Sequence, residues 1–207
     1  MRFTNTSLQT GYMDINNRLE LAELTENVRK YALAAVSEER YKHSVRVAQT
    51  CAKLCAHYGL SEQIGFFVGI AHDICKSMNE EALLKTAALD GEPILKIESS
   101  RPSLLHGRAA AVLLRDNWNV TDKDVLEAVA NHTFGKVGMS DLAKLLYVAD
   151  KIEPGRENVT PEYTERLMAM TVNQMTAAVV KESMDYLKGK GKKIAAETKA
   201  FYKSLKD

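Results

Sequence analysis

Apolar residues recur at helical spacing along most of this chain. In "NRLELAELTENVRKYALAAV" the side chains Leu21, Leu24, Val28, Ala32 and Val36 fall on one face of a helix. A second helix fits "ERYKHSVRVAQTCAKLCAHYG", where Val47, Cys51, Leu54, Cys55 and Tyr58 form the stripe and Gly59 supplies the end. The segment "SEQIGFFVGIAHDICK" starts at a capping candidate, Ser61, and is apolar almost all round, as a central buried helix would be. Further helices fit "NEEALLKTAAL", "HGRAAAVLLRDNW" and "TDKDVLEAVANHT", the last with Thr121 as its capping candidate. Then "MSDLAKLLYVADKIEPGR" reads as a helix stopped by Pro154 and Gly155, and "TPEYTERLMAMTVNQMTAAVVKESMDYLKGKG" continues the helical pattern. No convincing strand and no internal repeat emerges, so the expected fold class is all-α. Residues 1–18 read as a polar N-terminal extension, and residues 19–207 as a single helical domain with a C-terminal helical closure.

Composition narrows the setting. With 45% hydrophobic and 27% charged residues the chain has ordinary globular composition and should fold. A formal net charge of +1 gives no general reason to bind nucleic acid or an anionic membrane, and neither is expected as a partner. Three cysteines, Cys51, Cys55 and Cys75, are an odd number without secretory features, which points to a reducing cytoplasm. The spacing of Cys51 and Cys55 fits a helix stripe better than a zinc site. No segment approaches the roughly 20 apolar residues needed to span a bilayer. The basic end "KGKGKKIAAETKAFYKSLKD" reads as solvated charge rather than a nucleic-acid surface.

The polar residues inside apolar surroundings carry the chemical information. The string "GIAHDICK" places His72 and Asp73 directly after an apolar run, and Asp150 follows "LLYVA". His43, His106 and His132 stand near helix ends or beside turn signals, while His57 reads as a helix-end residue without a catalytic role. A buried ionised carboxylate needs a partner. A divalent metal would compensate Asp73 and Asp150 while neutral imidazoles fill its other positions. His43, His72, Asp73 and Asp150 then supply two nitrogen and two oxygen donors, a mixture that suits iron or manganese, and zinc or magnesium less distinctively. The rival reading of the same residues is a packed helical protein with incidental polar side chains.

The ordered strings "RYKHSVRVA", "AHDICK", "LLHGRAA", "NHTFGKVGMS" and "LYVADKIEPGR" resemble the HD-domain metal-dependent phosphohydrolases, and among them the YqeK family of symmetrical dinucleoside tetraphosphate hydrolases. The likeness starts near residue 40 and runs to "YLKGKGKKIAAET". It implies an HD-domain helical bundle that splits diadenosine tetraphosphate into two ADP with iron, or alternatively manganese, cobalt or magnesium. By matching motif, His43, His72, Asp73 and Asp150 would hold the metal. Lys76, four residues after His72, would share its helical face and approach phosphate oxygens. His106 and His132 would act on phosphate with Asp73, or complete a second metal site with Asp73 as a bridge. Thr133 and Arg156 would contact the nucleotide, and the turn at Lys192, Lys193 and Ile194 would close over base or ribose. His43, Asp73 and Asp150 would line the same substrate site. The chain departs from the family pattern at Phe134, Lys136 and Arg108-Ala109, all outside the metal set. A homodimer is left open.

The chemistry follows from charge. A polyphosphate repels an attacking hydroxide until its charge is neutralised, which a metal and lysine can do, and a bound metal also lowers the pKa of water. His106 or His132 could protonate the departing ADP oxygen. The alternatives are an HD phosphohydrolase acting on a nucleoside mono-, tri- or cyclic phosphate, and a non-catalytic helical interaction module.

Overall fold

The computed structural model describes residues 18–206, and every regular element among them is helical. The expected extension, residues 1–18, lies outside the described residues except for Arg18, which opens the first helix. The helices are α1 (Arg18–Ala35), α2 (Glu38–His57), α3 (Glu62–Ala71), α4 (Glu80–Ala87), α5 (Lys96–Ser100), α6 (His106–Trp118), α7 (Lys123–Asn131), α8 (Asp141–Ile152), α9 (Pro161–Met168), α10 (Val172–Gly189) and α11 (Ala196–Ser204). None of the described helices is long and apolar enough to cross a membrane.

Side-chain caps set most of the helix starts. The side chains of Ser37, Ser61, Asn79, Asp122, Ser140, Thr160 and Thr171 each accept from a backbone amide three residues on, meeting donors that have no partner inside the helix. The cap of α7 is therefore Asp122, one residue beyond the expected Thr121, because its carboxylate reaches the Val125 amide at 3.0 Å. The pattern from residue 160 to 191 is two helices rather than one. Thr171 and Gln174 form a reciprocal capping box that starts α10 afresh after the turn at Ala169 and Met170.

The third helix also ends earlier than its apolarity suggests. After Ala71 the chain tightens into turns in which Ile74, Lys76 and Met78 donate to carbonyls three residues back. His72 Nδ1 meets the Gly69 carbonyl at 2.6 Å, so a side chain takes up an acceptor that a continuing helix would use.

Packing centres on α3 and α8. Phe67, Val68, Ile70 and Ala71 on α3, and Leu142 through Ala149 except Lys144 on α8, are buried against α2, α7 and α10. Two glycines set the approach of α2 to α3. A Cβ on Gly69 would stand 2.3 Å from the Ala48 Cα, and one on Gly65 would stand 2.7 Å from the Cys55 Sγ. Cys51, Cys55 and Cys75 are buried free thiols in this core. On the far side, Gly107 lets α6 approach α7, since a Cβ there would lie 2.8 Å from the Val129 carbonyl and 2.9 Å from the His132 ring.

Candidate metal centre

These close approaches bring five element ends to one point. His43 projects from the second turn of α2, His72 caps α3, and Asp73 and Lys76 sit in the turns that follow. His106 is the first residue of α6, His132 caps α7, and Asp150 lies near the end of α8. Lys76 thus arrives through tight turns three residues after Asp73, not on a helical face shared with His72.

The polar atoms crowd together. His43 Nε2 lies 3.1 Å from Asp150 Oδ1 and 3.9 Å from Asp73 Oδ2. His72 Nε2 lies 3.5 Å from Asp73 Oδ2 and 3.9 Å from Asp150 Oδ1. His106 Nε2 is 2.9 Å from Asp73 Oδ1 and 3.0 Å from His132 Nε2. All four imidazoles are buried.

The other ring nitrogen of each histidine decides what these contacts mean. His72, His106 and His132 each present Nδ1 to a carbonyl three residues back, on Gly69, Ser103 and Val129, at 2.6, 2.7 and 2.8 Å. A carbonyl only accepts, so Nδ1 carries the proton and Nε2 of a neutral ring presents a lone pair. His43 Nδ1 faces Glu153 Oε1 at 3.1 Å with the same consequence. Lone pairs on His43 and His72 therefore point at carboxylate oxygens, and both Nε2 atoms are buried without a hydrogen-bond partner. A cation removes this conflict, and the donor set fits a divalent metal. His43, His72 and Asp150 form one group whose donor atoms lie within 4.8 Å of one another, and His72, Asp73 and His132 form a second.

Protonation states agree. Burial pushes the Asp73 carboxyl up, but His72, His106 and Lys76 together outweigh it and hold the group well below the usual carboxylate range. For Asp150 the opposing pull comes from Lys151, His43, His72 and His132, with the same net result. Burial drives His72 down and His132 well down, His106 and His72 adding to the effect on His132. Ionised carboxylates and neutral imidazoles are the forms that ligate metal.

Cations ring the carboxylates. Arg40 reaches Asp73 Oδ2 at 3.0 Å, and Lys76 Nζ stands 3.7 Å from Asp73 Oδ1 and 3.1 Å from His106 Nε2. Lys151 bonds Asp150 Oδ2 at 2.9 Å and the His132 carbonyl at 3.0 Å, and Arg156 reaches the Asp150 carbonyl at 2.6 Å. A cleft of about 720 Å³ opens beside Asp150 and is lined by Lys151, Arg156, Lys193, Arg101, Thr133 and Phe134 among others.

The structure thus draws His43, His72, Asp73, Lys76, His106, His132 and Asp150 together, with Thr133, Arg156 and Lys193 on the adjoining cleft. Lys192 and Ile194 do not line that cleft; Lys192 is exposed and the Ile194 side chain packs on the core. His57 ends α2, where Nε2 meets the Met168 carbonyl at 2.8 Å. Four polar neighbours were not singled out from sequence: Arg40, Arg46, Lys151 and Glu153. Glu153 accepts from Arg46 Nε and, at 2.6 Å, from the Gly155 amide, while facing His43. Burial pushes its carboxyl up, but Arg46, the Gly155 amide and His43 outweigh that and lower it. Each of these residues lies inside the strings "RYKHSVRVA" and "LYVADKIEPGR", which was the available signal.

An all-helical domain with His43, His72-Asp73 and Asp150 turned to one point is the pattern of an HD-type metal-dependent hydrolase. The chain belongs to the HD domain family, whose model matches residues 40–155. It is similar to the symmetrical bis(5'-nucleosyl)-tetraphosphatase of Bacillus subtilis (strain 168), at 31% identity over 86% of this chain and 97% of that protein. It is also similar to the enzyme of the same name from Halalkalibacterium halodurans, at 30% identity over 82% of this chain and 90% of that one. Among solved structures, an HD superfamily hydrolase from Clostridium acetobutylicum, described as involved in NAD metabolism, superposes with a TM-score of 0.79. It is 27% identical, with 87% of this chain and 95% of that one covered.

Proposed function

We propose that this protein hydrolyses diadenosine tetraphosphate, and related dinucleoside polyphosphates, at the central linkage to give two ADP. The observation that carries the reading is the convergence of buried imidazole lone pairs on ionised carboxylates beneath a ring of cations. It occurs in a chain that matches nearly the whole length of a relative bearing that activity in its name. His43, His72, Asp73 and Asp150 would hold the metal, with iron the expected ion, and His106 and His132 would either complete a second metal site or act on the phosphate. When bound, the ion supplies Lewis-acid polarisation of a phosphoryl oxygen and a source of hydroxide at neutral pH.

The protein's own groups do the remaining work. Lys76, Arg40, Lys151 and Arg156 place positive charge around the carboxylates, where the oxygens of a polyphosphate would otherwise be repelled. Thr133, Arg156 and Lys193 line the cleft that takes one nucleotide half, which fixes which phosphorus faces the centre. His106 and His132 hold Nε2 atoms 3.0 Å apart, a distance that calls for one proton between them. Where the pair acts on phosphate rather than on metal, that proton passes from His106 or His132 to the departing ADP oxygen as water attacks the phosphorus beside the central bridging oxygen and that P–O bond breaks.

The test is a nucleotide panel with products resolved by chromatography, run with and without chelator. Chelator-sensitive conversion of diadenosine tetraphosphate to ADP is expected. Preferential turnover of a nucleoside mono-, tri- or cyclic phosphate would move the reading to another HD phosphohydrolase activity, and a metal-free protein without turnover would support an interaction module.

A further inference from the structure

A second cavity lies against the first. It measures about 980 Å³ between α6, α7, α11 and the segment joining α4 to α5, and it shares Leu104, Thr133 and Phe134 with the cleft beside Asp150. The shared wall is tied to the chemistry by sequence position: Leu104 precedes His106 by two residues and Thr133 follows His132. Thr133 Oγ1 is buried there without a hydrogen-bond partner.

The two spaces differ in charge. The cleft carries Arg101, Lys151, Arg156 and Lys193 against Asp150 and Glu182, an excess of cations suited to phosphate. In the second cavity Arg108 is engaged by Asp90 and Glu98, and Arg115 by Asp116. What remains is Glu92, Asp124, Glu127 and Glu197 against Lys123 and Lys136, over an apolar floor that includes Ala111, Val112 and Leu126. An excess of carboxylates repels phosphate but accepts from ribose hydroxyls and an exocyclic amine, while apolar walls and the Phe134 ring suit a flat base.

The wall is also held in place. Thr198 Oγ1 on α11 donates to the Phe134 carbonyl at 2.9 Å, and Ser140 donates its amide to Glu127 at 2.9 Å. Gly135, at φ +72°, packs so tightly that a Cβ would lie 2.1 Å from the Phe201 ring. Phe134 therefore stands between the two spaces on a fixed loop, as a preformed stacking platform requires.

We infer that this cavity is a binding site for the second nucleoside of the substrate, so that the two identical ends of a dinucleoside polyphosphate occupy chemically different spaces on either side of Phe134. The inference rests on the dinucleotide reading above. It explains why the site would favour a substrate with two nucleosides over a polyphosphate with one.

Ala200 offers a clean test, because it lines the cavity from the exposed side of α11 and does not line the cleft beside Asp150. Steady-state kinetics on the metal-loaded enzyme would compare diadenosine tetraphosphate with adenosine 5′-tetraphosphate, which lacks the second nucleoside. For the wild type, KM for the dinucleotide should be lower by about tenfold or more, as loss of one base contact would give. Ala200→Trp, which puts a bulky ring into the cavity, should raise KM for the dinucleotide by about the same factor, with kcat and the mononucleotide kinetics unchanged. Ala200→Ser should behave as wild type. Equal effects of Ala200→Trp on both substrates, or none on the dinucleotide, would overturn the inference while leaving the hydrolase reading intact. Failure of the wild type to cleave the dinucleotide at all would remove that reading, and this inference with it.

Discussion

Replacing Glu153 tests how the centre is held together, because this residue faces the His43 ring from behind, on the side away from Asp73 and Asp150. Its carboxylate is 2% exposed, faces His43 Nδ1 at 3.1 Å, and accepts from Arg46 and the Gly155 amide. With the acceptor gone, nothing fixes the proton on Nδ1 or aims Nε2 at the carboxylates, and outer-shell losses of this kind reduce metal affinity about 10- to 100-fold. That equals roughly 1.4–2.7 kcal/mol at the ion. Glu153→Gln keeps a neutral acceptor for Nδ1–H, at about half the strength of a charged one, and should fall between wild type and Glu153→Ala. Competition with a chelator of known affinity would give the order wild type, Gln, Ala. Melting of the metal-free proteins, run in parallel, separates loss of the ion from loss of the fold. Wild-type metal affinity in Glu153→Ala would refute the idea that Glu153 orients His43.

Other consequences are equally concrete. Gly69→Ala places a methyl group against the α2 backbone at Ala48 and should cost about 1–3 kcal/mol or more, read by denaturant unfolding; an unchanged midpoint would mean that α2 and α3 can separate freely. Arg108 ties Asp90, the buried Glu98 and the carbonyls of Glu92 and Pro93, so Arg108→Ala should destabilise by about 3 kcal/mol, and no shift in melting temperature would contradict that role. Burial raises the Asp90 carboxyl, but Arg108 and the Glu92 amide outweigh it and lower it below its unfolded value of about 3.9. The stabilisation is therefore complete above that pH and fades as pH falls through the folded value, so the stability gap between wild type and Asp90→Asn should close in acid; a gap that stays constant would contradict the assignment. Lys76→Ala should weaken nucleotide binding far more than metal binding, since a protonated lysine attracts phosphate but cannot ligate the ion, and calorimetry on the metal-loaded variant decides it.

Most of the helices were legible in the sequence because local chemistry sets them. Ser61 caps α3 and Gly59 follows the end of α2, at positive φ, where the pattern placed them. The break between α9 and α10 was harder, since Ala169 and Met170 carry no breaker and the restart depends on the Thr171–Gln174 box. The early end of α3 was hidden for a related reason: no glycine or proline marks it, and His72 bonding back to Gly69 is a side-chain event inside an apolar run. In the site, the residue types of His43, His72-Asp73 and Asp150 were enough to suggest a metal set. The contacts of Glu153 with His43 and Arg46 span more than a hundred residues, and periodicity says nothing about such pairs. The same limit applied to the turn at Lys192–Ile194, where position near a basic run could not tell that Lys193 faces the cleft while Ile194 faces the core.

Hydrolysis of diadenosine tetraphosphate in oxygen-18 water, followed by mass spectrometry, bears most directly on a centre that cuts the middle of the phosphate chain. The account predicts two ADP, one carrying a single oxygen-18 on its terminal phosphate and the other unlabelled, with turnover lost on chelation. AMP and ATP as the main products would contradict the central register, and an intact dinucleotide in the presence of bound metal would contradict the function.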